Sequence, residues 1–126
     1  MVRALITVAE VDPFGATAGR AGLADDEREA LTLFLAQNRE GGSRIQGTGG
    51  LRKLRWAGKS KGERGGDRVI YFFFDETMPL YLLAIYPKNR RVDLTSEQKK
   101  RLTALAKQLK EAARTFRKAG LRSAAR

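Results

Sequence analysis

The sequence predicts an α+β fold: a small, antiparallel-rich sheet with helices packed on it, in the order β-α-β-β-β-α. Three observations carry this expectation. Arg68–Asp75 (RVIYFFFD) and Pro79–Tyr86 (PLYLLAIY) are aromatic and β-branched runs separated only by Glu76-Thr77-Met78, short enough for an antiparallel hairpin. Both runs are apolar on alternate and on intervening positions, which predicts central strands covered on both faces. Thr95-Ser96-Glu97-Gln98 has the form of a capping box. Behind it Leu102, Leu105, Ala106, Leu109, Ala112, Ala113 and Phe116 recur as the apolar stripe of a long helix.

The remaining elements follow in order. Leu5, Ile6, Val8 and Val11 precede Asp12-Pro13 and predict a strand over 3–9. Residues 12–22 hold a proline and three glycines and read as a loop. Asp25, Asp26 and Glu27 place negative charge at a helix start, where it favours the dipole, and Ala30, Leu31, Phe34 and Leu35 continue at helical spacing. Gly41-Gly42 is the expected stop. After the turn cluster Gly47-Thr48-Gly49-Gly50 comes a strand, Leu51–Trp56, then a Gly- and Lys-rich loop, Ala57–Gly66. Gly120 is the expected end of the last helix.

With 126 residues the chain makes one domain, its core over about 3–112 and a basic tail over about 119–126. Its formal net charge is +11, which favours a polyanionic partner. That charge is concentrated in two blocks. Residues 41–70 carry 8 basic and 2 acidic side chains, net +6; residues 99–126 carry 10 and 1, net +9.

Cysteine and histidine are both absent, which removes disulfides, thiolate chemistry, the commonest metal ligands and the commonest general base. A serine triad is excluded for want of its histidine. No metal and no cofactor are expected. Gly58-Lys59-Ser60 has the end of a phosphate loop, but the glycine needed five residues earlier is Lys53 and no helix follows. The start of the chain is too soon interrupted by charge for a signal peptide, and no apolar run reaches the 20 or so residues that span a bilayer. A cytoplasmic location is the expectation.

Chemistry is therefore left to the cations. Lys53 and Arg55 point to one face of their strand while Leu54 and Trp56 point to the other. Lys59, Lys61 and Arg64 follow in the loop, Arg68 opens the next strand, and Lys88 follows the last. Pairing of these strands would bring them together. The bland alternative is an ordinary solvated basic surface. Tyr71, Phe72, Phe73, Phe74, Tyr81 and Tyr86 are open between core and base stacking, core being the commoner fate of such phenylalanines. The basic residues of the last helix read as general electrostatic attraction.

Ile45-Gln46-Gly47-Thr48-Gly49-Gly50-Leu51-Arg52-Lys53-Leu54-Arg55, then Arg64-Gly65-Gly66 with Arg68-Val69-Ile70-Tyr71, then Tyr81-Leu82-Leu83, Tyr86, Lys88-Asn89 and Asp93-Leu94-Thr95, together resemble the HigB branch of the RelE/ParE toxin superfamily over about residues 23–110. The resemblance implies the toxin of a type II toxin–antitoxin pair, which enters the ribosomal A site and cuts mRNA. Its implied partner is a cognate antitoxin carrying a helix-turn-helix DNA-binding part. By position Arg68 matches the family's arginine at the scissile phosphate, and Lys88 the basic residue ending the last strand. Lys53, Arg55, Lys59, Lys61 and Arg64 occupy the basic strand and loop. Two departures stand out: no tyrosine follows Tyr86, and Glu63 interrupts the loop. The proton-transfer residue stays open between Lys61 and Lys88. A ParE-like gyrase inhibitor and a non-catalytic RNA- or ribosome-binding module are the alternatives.

Overall fold

The structure, a computed structural model, describes residues 4–57, 66–87 and 94–124, with side chains as far as 115. The described residues form an α+β fold, as expected, with three helices on a five-stranded mixed sheet. The strands are β1 (Val8–Glu10), β2 (Ser43–Arg44), β3 (Leu51–Trp56), β4 (Asp67–Phe72) and β5 (Leu80–Pro87). The helices are α1 (Phe14–Ala21), α2 (Asp25–Gln37) and α3 (Ser96–Ala124). Sheet order is β1-β5-β4-β3-β2. The pairs β2–β3, β3–β4 and β4–β5 are antiparallel, and β1 joins β5 in parallel.

The two apolar runs are adjacent inner strands, β4 and β5, and each faces a core on both sides. On one face Val69, Tyr71, Leu80, Leu82 and Ile85 pack with Phe14 and Ala18 of α1 and Leu31 and Leu35 of α2. On the other, Leu51, Ile70, Phe72, Leu83 and Ala84 pack with Leu102 and Ala106 of α3. The capping box forms as written: Gln98 N–H donates to Thr95 Oγ1 at 3.1 Å, and Thr95 N–H donates to Gln98 Oε1 at 3.0 Å.

Several expectations are corrected. The loop over 12–22 holds α1, whose Gly22 takes a left-handed φ of 71° and receives the chain at its C-terminus. The first strand is Val8–Glu10, shorter and later than 3–9. The two-residue edge strand β2 lies outside the strands that the sequence predicts. α2 ends at Gln37, before Gly41-Gly42: Asn38 leaves helical geometry at φ −129° and ψ 60°, and its side-chain amide caps the Phe34 carbonyl at 2.9 Å. Gly42 has another use. A Cβ there would lie 2.8 Å from both Lys53 O and Tyr71 Cε1, so only glycine lets the chain cross this strand closely. Gly120 does not end α3, which continues to Ala124 through residues 119–124 of the expected tail. One glycine costs a helix about 1 kcal/mol, too little to stop it among Ala, Arg and Lys.

Candidate nucleic-acid site

On β3 the residue alternation is realised. Leu54 and Trp56 pack toward α2, Trp56 lying against Phe34 with ring centroids 5.6 Å apart. Lys53 and Arg55 therefore project from the α3 face. In the β3–β4 ladder Arg55 is the direct partner of Arg68, and Lys53 the partner of Ile70. Ile70 belongs to the α3-side core, which puts Arg68, two residues before it, on that face as well. Two arginines thus leave adjacent strands side by side, their Cβ atoms roughly 5 Å apart by ladder geometry.

β5 completes a row. Ala84 pairs with Ile70 and Leu82 with Tyr71, so Leu83 is an extra residue opposite that step, a β-bulge. The bulge reverses the alternation of the strand. Leu80 and Leu82 face α1 and α2; Leu83, Ala84 and Tyr86 belong to the α3 side, and Ile85 returns to the first face. Tyr86 is the ladder partner of Arg68. Arg55, Arg68 and Tyr86 consequently line up across β3, β4 and β5 at one end of the sheet.

The environment of the row is cationic and partly dry. Arg55 is exposed and Arg68 half-buried, and the Arg68 Nε atom is buried with no hydrogen-bond partner among the described residues. Gly66, at φ 139°, lies against Arg55: a Cβ there would come 3.3 Å from Arg55 Nε and 3.4 Å from its Cγ. Like charges directly opposite on neighbouring strands oppose folding, so the Arg55–Arg68 pair is a local electrostatic conflict that an anion placed between them would relieve. Arginine forks suit phosphate oxygens in this role. Arg52, on the opposite face of β3, is spent otherwise, donating from buried Nη1 to the Gly42 carbonyl at 2.8 Å.

Of the expected site residues, Arg55 and Arg68 are thus brought together, with Lys53 two residues along the same face of β3. Lys59, Lys61, Arg64 and Lys88 lie outside the described residues, as does Glu63. The chain leaves β3 after Trp56 and re-enters β4 at Asp67, and Lys88 directly follows Pro87, the ladder partner of Asp67. Both segments therefore depart from the sheet end that carries the row.

The aromatics divide. Tyr71 is fully buried, its hydroxyl donating to Arg39 O at 2.9 Å and accepting from Gly42 N–H at 2.8 Å, and this burial raises the phenol above its ordinary value. Phe72 and Phe73 are core. Phe74 is 40% exposed, with the Lys110 ammonium 4.0 Å from its ring centroid. Among the α3 cations, Arg101 pairs with Glu97 at 2.9 Å, while Lys100, Lys107 and Arg114 are exposed. Tyr86, which the sequence leaves open between core and base stacking, is placed in the row by the structure. The bulge that aims it has no glycine or proline to announce it.

Among the described residues no group of three or more His, Cys, Asp or Glu side chains is placed to hold a metal ion. No helix among them is long and apolar enough to cross a membrane. No protein-family model matches the chain.

Proposed function

We propose that this chain is the toxin of a type II toxin–antitoxin pair, a cytoplasmic endoribonuclease that needs no metal and cuts mRNA in the ribosomal A site. The observation that carries the reading is the Arg55–Arg68 ladder pair, two cations on one face with Lys53 alongside. A polyanion is the natural ligand of such a pair, and RNA is the polyanion whose own 2′-hydroxyl supplies a nucleophile. The net charge of +11 and the resemblance to HigB-type toxins point the same way.

In this reading the ribose 2′-oxygen attacks the adjacent phosphorus, the bond from phosphorus to the 5′-oxygen breaks, and the products are a 2′,3′-cyclic phosphate and a 5′-hydroxyl. One proton leaves the 2′-hydroxyl and one reaches the departing 5′-oxygen. Arg68 and Arg55 hold the charge that grows on the non-bridging oxygens, an interaction stronger in the transition state than before it. Lys61 or Lys88 moves the protons. Lys53, Lys59 and Arg64 hold the flanking phosphates. A cognate antitoxin with a helix-turn-helix part keeps the toxin silent.

Primer extension on an mRNA, after induction of the chain without its antitoxin, tests this. Cuts within codons that vanish with Arg68→Ala, while the variant still binds antitoxin, are the expected result. Growth arrest with DNA damage and no cuts would instead establish a gyrase poison. Salt-sensitive ribosome binding without cuts would establish a non-catalytic module.

A further inference from the structure

We propose that Tyr86 is a further catalytic residue of this site, its phenolic hydroxyl donating a hydrogen bond to a non-bridging oxygen of the phosphodiester held by Arg68 and Arg55. The inference rests on the ribonuclease reading and adds a residue to it.

Three observations carry it. First, Tyr86 and Arg68 are ladder partners whose side chains leave neighbouring strands on one face, and the other ladder partner of Arg68 is Arg55. Second, its orientation is the work of the bulge at Leu83. Strict alternation from Leu80 and Leu82 would send residue 86 to the α1 and α2 side; the extra residue turns it to the face of the arginines. Bulges that re-aim one side chain are a recurrent device beside functional sites. This one is held in place. Ile85 N–H, beyond the end of β1 pairing, donates instead to Thr17 Oγ1 at 3.0 Å.

Third, the two ends of the side chain have different environments. The ring is half-buried, packed against the apolar cluster under α3, which limits its rotamers. Its hydroxyl forms no hydrogen bond with a described residue. Tyr71, by contrast, has both its donor and its acceptor used inside the core. A tyrosine with an anchored ring and an uncommitted hydroxyl, in one row with two arginines, is a preorganised donor, and such donors gain strength in a partly dry site. The packed ring also favours hydrogen bonding over stacking, because a base would need a face that the apolar cluster already takes.

The test compares Tyr86→Phe, Tyr86→Leu and Arg68→Ala in mRNA cleavage by the full chain on programmed ribosomes, with ribosome binding and thermal melting measured for each. Tyr86→Phe removes only a hydroxyl and is expected to lower the cleavage rate at least about tenfold, with binding and melting temperature unchanged. Tyr86→Phe at the wild-type rate, with Arg68→Ala inactive, overturns the role of Tyr86 and leaves the ribonuclease reading standing. Should Tyr86→Phe be active and Tyr86→Leu inactive, the ring alone matters and the hydroxyl role is likewise overturned. Cleavage retained by Arg68→Ala overturns the reading itself, and the Tyr86 proposal with it.

Discussion

Thr17 and Ile85, 68 residues apart, are joined by a hydrogen bond in which the Ile85 amide donates to the Thr17 hydroxyl at 3.0 Å. The same hydroxyl donates to the carbonyls of Phe14 and Pro13 at 3.0 and 3.1 Å, so one side chain of α1 serves both its own helix and the end of β5. β1 stops pairing at Glu10, opposite Leu82, and three residues later the Ile85 amide finds its acceptor in this threonine. Thr17→Val keeps the shape and withdraws that acceptor. Leaving a buried N–H unsatisfied costs about 1–3 kcal/mol. Urea unfolding of the valine variant should show an unchanged slope and a midpoint lowered by that free energy divided by the slope; an unchanged midpoint would mean that the amide is satisfied in another way.

Gly66 and Arg55 form a second such pair, across the strand end. Gly66→Ala meets two penalties: a φ of 139° that alanine rarely adopts, and a Cβ 3.3 Å from Arg55 Nε. The backbone penalty destabilises by about 1–3 kcal/mol. The contact penalty displaces Arg55 and should cut RNA cleavage about tenfold or more under conditions where the variant remains folded. A double-mutant cycle separates the two. In an Arg55→Ala background, Gly66→Ala should still lower stability but cost little further activity. An equal activity loss in both backgrounds would show that Gly66 acts without Arg55.

Burial holds the Tyr71 phenol neutral, raising it above its ordinary 10.0 against the smaller opposing effects of the Gly42 amide and the Arg52 charge. The neutral form is the one the folded chain accepts. Its contribution is therefore fully present below about pH 10 and is lost as pH climbs through the raised folded value. Tyr71→Phe removes the ionisation and also the two hydrogen bonds to Arg39 O and Gly42 N–H. Near neutral pH the phenylalanine variant should be less stable by about 1–3 kcal/mol. Above about pH 10 the gap between the two should narrow, because only the wild type is losing this contribution. Denaturant midpoints from pH 8 to 11 measure it; a constant gap would contradict the buried neutral phenol.

Much of the fold was legible because it is local. The capping box at Thr95–Gln98 forms from four consecutive residues, and the acidic start of α2 needs no more than its own turn. Alternation along β3 sufficed to separate Lys53 and Arg55 from Leu54 and Trp56, since pleating obliges neighbouring side chains to opposite faces. The proximity of Arg68 to Arg55 followed from expecting those strands to pair.

What the sequence by itself determined is the α+β class, the inner strands β4 and β5, the two capped or charged helices, and which cations share a face. Tertiary structure alone decided the rest. The run Phe14–Ala21 (FGATAGRA) has two glycines and few large apolar residues, and it is a helix because Phe14 and Ala18 are buried against the sheet and Thr17 bonds β5. β1 is placed by a parallel partner some 70 residues away, and the bulge that turns Tyr86 toward Arg68 arises from two strands whose apolar faces must both be filled. Register between distant segments is set by the packing of whole faces, and that quantity exists only once the chain has folded.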